Sequence, residues 1–557
     1  MMKTKTLLTA LLTTCLMPAA AVMADGPLPT DPHVVAGDIT ITQPSATQLL
    51  LQQSGAAGIV DWGSFSIGTG NGVQFDNGNG ATLNRVTGND LSSIMGSLNA
   101  TGSVYLVNQN GIVFGKSGVV NTGGTFVAST LDIDSGDFLA GGDDVFAGNS
   151  NGYVINLGRI SALGGDVALM GRTVVNEGTI TAPNGTVGLV AGREILMRDA
   201  SLDDGLFSVR IGGSDTSVSD SGTIRAAAAE LRANGGNVYA LAGNTDGTIA
   251  ATGVAKVKGR VFLTAGDTGK VQVDKSVKAT GADGKGGKVT VGAGTVDIAG
   301  QLDVTGTNGG EVRITSDIET VFSGEILAYG KGPASTGGFV EVSGKHLTYD
   351  GTVNTGGGTV LIDPDNIEVT DGNSTLAGAT VFTSGQVVDL LDVNNFILET
   401  TGSDTEAGSI VVSSQIMAFT PFTLTLLAHG DIVANASIMV GDDTVGGLNL
   451  VAGWDGSTST EAFEASVFDG ADLASQTIFG NASGTLYFVN ETRRSASGSV
   501  FIGEGNQFNG ISVGAYSGDT NIYANNLVLT GTDNPEVNYG YAQLGYNASG
   551  FGVGANL

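Results

Sequence analysis

Few residues of this chain have the types and spacing that acid–base or nucleophilic chemistry needs. The three histidines, His33, His346 and His429, are far apart and form no HxH or HExxH pattern, so neither metal ligation nor general-base catalysis is indicated. No G-x-S-x-G elbow joins a strand to a helix in a Ser-His-Asp arrangement. The sequence therefore predicts no catalytic residue, no metal ligand and no cofactor.

Paired carboxylates are the remaining candidates, because a polysaccharide lyase or hydrolase uses them for acid–base work or for calcium. The tightest pairs are Asp363 with Asp365 and Asp442 with Asp443. Successive strand residues point to opposite faces, so only Asp363 and Asp365 could share one. No Lys or Arg lies between 346 and 492 to assist them. A secreted β-helix polysaccharide-degrading enzyme is kept as the alternative hypothesis.

Three further features have a structural and a functional interpretation. The stretch 132–137 resembles a loose calcium loop but lacks its full spacing and late Glu, so a turn is the simpler interpretation. Trp62 and Phe65 would suit a sugar platform, although packing in the first coils is preferred. Arg85 is a cation in an apolar, glycine-rich stretch. We expect it to form a salt bridge or to bind carbonyls near the N-terminal cap.

Composition indicates an ordered, turn-rich β protein. Glycine supplies 89 of 557 residues, proline only 10, and 41% of the chain is hydrophobic. The net charge of −30 offers no basic footprint, so a nucleic-acid partner is not expected. The charge is also uneven, because residues 346–557 contain only Arg493 and Arg494 against 23 Asp and Glu.

Internal repeats predict the architecture. NLGRISA at 156–162 returns as NEGTITA at 176–182, each followed by a Gly turn and a V-x-L run. A period of about 20–25 residues is typical of solenoids, and the alternating apolar residues would lie on one face of each strand. The predicted fold is all-β: a right-handed parallel β-helix (solenoid) with N-terminal capping strands. Residues 200–221 break the pattern and are expected to form a loop or a short excursion.

The N-terminus predicts export. Lys3 and Lys5 precede an apolar run at 7–17, and small residues follow up to Ala24, which is typical of a signal peptide at 1–24. The run is shorter than the ~20 residues of a membrane span. Cleavage after Ala24 would remove Cys15, the only cysteine, so no disulfide would hinder passage of the unfolded chain through a pore.

The stretch 59–141 contains seven short blocks in order: 62–68 (WGSFSIG), 73–75 (VQF), 84–88 (NRVTG), 93–96 (SIMG), 104–115 (VYLVNQNGIVFG), 127–130 (VAST) and 137–141 (DFLAG). Through these blocks the chain resembles the filamentous-haemagglutinin-like exoproteins of two-partner secretion. The family usually has Asn-Pro-Asn-Gly where this chain has Asn108-Gln109-Asn110-Gly111. The similarity is best over about 35–200, and the remainder shares only the texture of the repeats.

The resemblance implies a domain order. A secretion domain would occupy 25–270, further β-helix repeats 271–370, and acidic β-rich repeats 371–557, with a boundary near the LIDPDNI line at 361–367. The last residues, 541–557, show no obvious cap, which would suit a fragment or a short family member.

The resemblance also implies a partner and a location. The partner would be an outer-membrane two-partner-secretion transporter, a β-barrel with POTRA domains. Candidates for its recognition are the tetrapeptide Asn108, Gln109, Asn110 and Gly111, together with Asn84 and Arg85. The chain would pass through the periplasm of a Gram-negative bacterium and be secreted or shown on the cell surface. There it would act as an adhesin or structural surface protein, with host or environmental glycans or proteins as possible partners.

Overall fold

The structure is a computed structural model. It describes residues 28–241, 247–254, 259–401, 407–442, 444–454, 477–480, 485–489, 498–503, 510–516, 518–530 and 542–544. The expected signal peptide at 1–24, Asp443, Arg493, Arg494 and most of the uncapped end at 541–557 lie outside these residues. Among the described residues, no helix has the length and apolar character that crossing a bilayer requires.

The N-terminal part consists of short strands joined by turns. The first strands are β1 (His33–Ala36), β2 (Ile39–Ser45), β3 (Gln48–Gln53), β4 (Ala57–Trp62), β5 (Gly72–Asp76), β6 (Ala81–Val86), β7 (Ser92–Ile94), β8 (Ser97–Ala100), β9 (Ser103–Val107), β10 (Ile112–Phe114), β11 (Val119–Thr122) and β12 (Phe126–Ser129). There follow β13 (Asp132–Ile133), α1 (Ser135–Ala140), β14 (Asp144–Ala147), β15 (Tyr153–Asn156), β16 (Arg159–Ala162), β17 (Val167–Gly171), β18 (Thr173–Asn176), β19 (Thr179–Ala191), β20 (Glu194–Leu202) and β21 (Gly205–Ile211).

The middle and the C-terminal part continue in the same way. The middle contains β22 (Ser217–Asp220), β23 (Thr223–Arg232), β24 (Asn237–Ala240), β25 (Thr248–Thr252), β26 (Arg260–Val273), β27 (Ser276–Thr280), β28 (Lys288–Ile298), β29 (Gln301–Asp303), β30 (Glu311–Phe322), β31 (Glu325–Leu327), β32 (Phe339–Ser343), β33 (His346–Tyr349), β34 (Thr352–Asn354), β35 (Thr359–Asp363) and β36 (Ile367–Val369). The C-terminal part contains β37 (Thr380–Phe382), α2 (Ser384–Leu391), β38 (Asn395–Thr400), β39 (Ile410–Val412), β40 (Ile416–Ala418), β41 (Leu424–Ala428), β42 (Ile432–Ala434), β43 (Ile438–Val440), β44 (Leu448–Ala452), β45 (Thr477–Gly480), β46 (Thr485–Val489), β47 (Ser499–Ile502), β48 (Ile511–Ala515), β49 (Thr520–Tyr523), β50 (Asn526–Leu529) and β51 (Ala542–Leu544).

Strands one repeat apart pair in parallel and stack their apolar side chains into one core. A single inward position can be followed in register along the solenoid: Val104, Phe126, Val167, Val187, Ala229, Val261, Val289, Val312, Val340, Val360, Phe396, Leu424 and Leu448. All of them are fully buried. One repeat cannot bury its apolar face alone, so stacking supplies the hydrophobic stabilisation. The predicted parallel β-helix is confirmed.

The repeated glycine of each coil is required by the corner that it occupies. A Cβ on Gly178 would lie 2.2 Å from the carbonyl oxygen of Gly158, and one on Gly222 would lie 2.2 Å from that of Gly178. Gly247 stands in the same relation to Gly222, at 2.1 Å. Any side chain here would push successive coils apart, which is why the repeat begins with Gly.

The predicted capping strands are present at the N-terminal end. The strand β1 pairs antiparallel with β4, and β2 pairs antiparallel with β3, whereas the coils that follow pair in parallel. The antiparallel turn-back covers the first coil, whose edge would otherwise be open to pairing with another chain.

A small antiparallel sheet lies outside the solenoid. It has the order β13-β14-β20-β21 and, with α1, covers the outer face of the first coils. The apolar side chains between the two layers are Ile59, Leu83, Val107, Val127, Leu131, Ile133, Phe138, Phe146, Ala168, Met170, Val190, Ile195, Met197, Leu206 and Phe207. Residues 200–211 thus leave the solenoid as expected, although they form part of the hairpin β20–β21 and not a loop. The chain has returned to the solenoid at β22, which pairs in parallel with β18 and β24.

The solenoid continues past the boundary expected near 361–367. The strand β35 pairs with β32 before it and with β38 after it. The helix α2 contacts β38 and β40. Beyond it the coils are built from three parallel sheets, two of which have the orders β37-β36-β39-β42-β47-β50 and β40-β43-β48-β51.

Candidate transporter-recognition region

The tetrapeptide that begins at Asn108 forms a tight turn after β9. The side chain of Asn108 is fully buried. Its Oδ1 accepts hydrogen bonds from two nitrogens of Asn110, the backbone N at 2.9 Å and Nδ2 at 3.1 Å. The Nδ2 of Asn108 donates to Ser92 Oγ at 2.9 Å. Gly111 has a φ of +116°, in the region that glycine adopts without strain. Local chemistry therefore fixes this turn.

Only the two middle residues of the turn face solvent. Gln109 and Asn110 are exposed. The Nδ2 of Asn110 donates to the carbonyl oxygen of Gly88 in the preceding coil at 2.8 Å, and Ser150 Oγ donates to the carbonyl oxygen of Gln109. The turn is thus held against coils on both sides and presents two polar side chains to a partner.

Asn84 faces the interior of the solenoid. It is fully buried, its Oδ1 accepts from Trp62 Nε1 at 3.1 Å, and its Nδ2 donates to the carbonyl oxygen of Tyr105 at 3.3 Å. Trp62 packs edge-on against Phe65 with ring centroids 5.4 Å apart. These aromatic rings therefore pack in the core, as preferred from the sequence, and Asn84 is out of reach of any partner of the folded protein.

Arg85 faces the other way and ties the solenoid to the outer sheet. Its Nε lies 2.9 Å from Asp132 Oδ1, and its guanidinium also donates to the carbonyl oxygen of Ile133 at 2.9 Å. Asp61 lies 3.6 Å away on the adjacent strand. Asn84 and Arg85 are in register with Leu106 and Val107, one coil from the turn. The candidates therefore occupy successive coils, but their side chains do not form one surface.

The outer sheet and α1 together form a cover over the first coils, and this cover contains a polar contact that was not predicted from the sequence. Tyr105 packs edge-on against Phe138, with centroids 5.1 Å apart, and its hydroxyl donates to the carboxylate of Asp144. Burial raises the pKa of Asp144 to about 6, although the hydrogen bond from Tyr105 opposes the shift. Burial raises the pKa of Tyr105 as well.

Glu230 was also missed, and it closes the open edge of β21. It is fully buried, and its carboxylate accepts from the backbone N of Leu206 at 2.6 Å and of Phe207 at 3.1 Å. Arg232 Nε pairs with it at 2.7 Å. The sequence did contain a signal that the outer face of these coils is covered. The apolar run VALM in β17 is continuous, its residues are all buried, and such runs indicate burial on both faces of a strand.

The remaining carboxylate candidates have structural surroundings. Asp134 caps the N-terminus of α1, so the loose calcium loop is the start of a helix, and Asp442 accepts from Thr444 in a turn. Asp363 lies on the outer face beside Glu399, and burial followed by the charges of Glu399 and Glu341 raises its pKa well above the ordinary value. Within the described ranges, no group of three or more His, Cys, Asp or Glu is placed to hold a metal ion.

Comparison with known proteins agrees with this architecture. The family model for the TPS secretion domain matches residues 21–314. The crystal structure of the HMW1 secretion domain from Haemophilus influenzae superimposes with a TM-score of 0.55 and 25% identity, and covers 67% of this chain and 100% of that chain.

Two heme/hemopexin-binding proteins of Haemophilus influenzae are similar in sequence. One, from strain Rd, is 31% identical over 253 residues, which are 43% of this chain and 27% of the relative. The other is 35% identical over 126 residues, which are 22% of this chain and 13% of the relative. The matched segments thus cover about a quarter or less of these curated relatives.

The fold is that of a β-helical secretion domain continued by further coils. The chain belongs to the TPS secretion-domain family, the exoproteins of two-partner secretion. Such exoproteins cross the periplasm of Gram-negative bacteria and reach the cell surface or the medium, and a cognate outer-membrane transporter is their partner.

Proposed function

We propose that the N-terminal coils, 25–270, engage the POTRA domains of the cognate transporter and that the turn at 108–111 is a contact. Coils 271–370 and 371–557 would form the exported rod. The observation that supports this most directly is the turn itself: a buried Asn108 fixes its shape, while Gln109 and Asn110 remain exposed. Asn84 and Arg85 then support recognition indirectly, by holding the interior and the cover.

Asn110→Ala tests the contact, because the chain offers a matched control. Asn184 is also exposed, also precedes a glycine, and its Nδ2 also donates to a backbone carbonyl of the preceding coil, that of Leu163, at 2.8 Å. We expect Asn110→Ala to lower the secreted fraction about tenfold, the change that ~1.4 kcal/mol of lost affinity produces. Asn184→Ala should leave secretion unchanged. Secreted and periplasmic protein are measured in cells that express the transporter.

Equal secretion of the two variants would contradict the assignment of the turn. A fall in both, with matching falls in the melting temperature of the purified proteins, would mean that stability and not recognition is measured. Gln109→Arg provides a second test at the neighbouring exposed position, since Ser150 is hydrogen-bonded to the backbone carbonyl of Gln109, which the substitution keeps.

For the exported rod we propose an adhesive or structural role at the cell surface, with glycans or proteins of a host or the environment as partners. The acidity of 346–557 supports this, because strong like charge keeps long rods soluble and apart. The ligand named for the Haemophilus relatives is not proposed for this chain, since the matched regions cover so little of those proteins. Binding of the purified mature protein to cells and to immobilised glycans tests the role.

We propose that the rod is not an enzyme. Of the candidate pair, Asp365 is only 6% exposed, whereas Asp363 is half-buried on the outer face beside the buried Glu399. A polysaccharide could therefore not reach both carboxyl groups of the pair without opening the coil. Release of reducing sugars from acidic polysaccharides by the purified protein would favour the alternative, a β-helix polysaccharide-degrading enzyme.

A further inference from the structure

A ladder of buried polar side chains runs through one corner of the solenoid. Asn156 Nδ2 donates to Asn176 Oδ1 at 2.8 Å, and Asn176 Nδ2 donates to Asp220 Oδ1 at 2.7 Å. The three residues occupy the same register position in β15, β18 and β22, and all are fully buried. The ladder thus ends on a carboxylate where its earlier steps are amides.

Lys275 neutralises that carboxylate from further along the chain. Its Nζ lies 2.8 Å from Asp220 Oδ2 and also donates to the carbonyl oxygens of Gly222 at 2.8 Å and of Asp220 at 3.4 Å. Neither charged side chain is exposed. The residue paired with Asp220 in the next coil is Ala240. Its small side chain leaves room for Lys275 to extend toward Asp220.

The following coil then seals the corner. The backbone N of Gly300 donates to the carbonyl oxygen of Val273 at 2.8 Å. A Cβ at Gly300 would lie 2.3 Å from the carbonyl oxygen of Lys275, so the glycine is needed for close approach. In the complete fold neither Asp220 nor Lys275 has any surface open to water.

The order of these residues has a consequence for folding. A buried carboxylate is costly to leave without a cation, and Asp220 precedes Lys275 by 55 residues. In a solenoid that grows coil by coil, the coil containing Asp220 is formed before its cation is available. That coil remains incomplete until the chain has reached residue 275 and folded back.

We propose that Lys275 is a folding latch that closes the N-terminal section of the solenoid. Coils between 216 and 241 reach their full stability only when Lys275 is bound to Asp220. The N-terminal section therefore closes between 275 and 300, beyond the boundary at 270 that the family resemblance implies. This latch depends on the fold alone and stands whether or not the turn at 108–111 contacts the transporter.

Variants of the full mature chain test the latch. Lys275→Met keeps the length of the side chain and removes the charge; we expect its melting temperature to fall on the order of 10 °C, as for a broken buried ion pair in a unit of this size. The double variant Asp220→Asn with Lys275→Met should recover most of the loss, because an amide continues the ladder. Lys278→Met is the matched control: it removes a half-exposed pair with Asp303 at 3.0 Å and should change little.

Hydrogen exchange locates the effect. In Lys275→Met, amides of β22 and β24 should exchange roughly tenfold faster or more, while those of β30 and β32 keep their protection. The latch would be refuted if Lys275→Met were as stable as Lys278→Met, or if the double variant were no more stable than the single one. Uniform loss of protection along the whole chain would also refute it.

Discussion

Two carboxylates in the same solenoid, the buried Asp220 and the half-buried Asp363, are accommodated in opposite ways. Asp220, in the N-terminal part, is bound to Lys275 at 2.8 Å and to a ladder of asparagines. Asp363, in the C-terminal part, lies among Glu341, Asp365 and Glu399, and its Oδ1 makes no hydrogen bond within the described structure. Asp220 is therefore paired with a cation, whereas Asp363 is accommodated because its raised pKa favours the protonated form.

The difference follows from the distribution of charge along the chain. Residues 1–345 hold 22 of the 24 Lys and Arg, and none occurs between 346 and 492. Coils before 346 can therefore place a cation beside a buried carboxylate, as they do for Asp220 and Glu230. Asp144 of the outer sheet is an exception, because its partner is Tyr105 and burial raises its pKa. Coils between 346 and 492 have no cation of their own, so they must use protons or neutral donors.

Glu368 shows the second of these solutions, only five residues from Asp363. Its carboxylate accepts from the side chains of Ser374, Thr375 and Ser413 and from the backbone N of Thr375 and Leu376. These bonds outweigh burial, which acts in the other direction, and lower the pKa of Glu368 to about 2. Neutral donors can thus hold an ion where no cation is available.

Removing the cation beside Glu230 should have the largest effect in the N-terminal part after the loss of Lys275. Arg232→Met leaves Glu230 buried with only its two backbone donors, so we expect a loss of about 3 kcal/mol in the free energy of unfolding. Urea unfolding measures it. Lys285→Met, which removes an exposed pair with Asp283, is the control and should leave the free energy of unfolding nearly unchanged. Equal losses would mean that burial of the pair does not matter.

Glu368→Gln should cost about 2 kcal/mol at neutral pH, since hydrogen bonds to a charged group are lost or weakened. Because the pKa of Glu368 is lowered, this stabilisation is complete at pH values above the ordinary pKa of glutamate. It disappears as the pH falls toward the folded-state pKa of about 2. The stability difference between Glu368→Gln and the wild type should therefore shrink below pH 4. A difference that stayed constant from pH 7 to pH 3 would contradict the assigned charge state.

Asp363→Asn should act in the opposite direction and raise stability by about 1 kcal/mol at pH 7.5, because it removes a buried group that resists ionisation. The pKa of Asp363 is raised in the folded state. Such a carboxyl stabilises the fold at pH values below its pKa in the unfolded chain, and this stabilisation is lost as the pH rises through its pKa in the folded state. The wild type should lose stability over that interval, and Asp363→Asn should not. Urea midpoints at several pH values compare them.

Tyr105→Phe should have the smallest effect on the free energy of unfolding, about 1 kcal/mol or less. It removes one hydrogen bond, which the hydroxyl of Tyr105 donates to Asp144 in the cover. The pKa of Asp144, raised to about 6, makes the protonated form favourable in the fold. Stability from this site is therefore full below pH 4 and lost as the pH rises through 6. Asp144→Asn should flatten this dependence; an unchanged profile would show that the cover does not titrate there.

The repeated parts of the fold were predictable because their information is local. The two copies at 156–162 and 176–182 contain the strand alternation and the corner glycine that build a coil, and the structure places them in register. The buried Trp62 and the structural bonds of Arg85 were also anticipated. The turn at 108–111 was predicted as a unit; its role in recognition stays a proposal.

The nonlocal contacts were not predictable from the repeats. The outer sheet joins 132–147 with 194–211 over an apolar face that alternation alone assigns to solvent. Nothing in the neighbourhood of Asp220 reveals that its partner lies 55 residues later. Lys275 likewise lies beyond the expected boundary at 270, which stays a prediction.

Stacked β coils with glycine corners could be inferred from the order of the amino acids, because each coil is specified by residues within one repeat. Which carboxylates are buried, and what neutralises each of them, became visible only in the folded chain. Those outcomes depend on side chains that meet across coils, and the chain carries no local record of which coil will lie beside which charge.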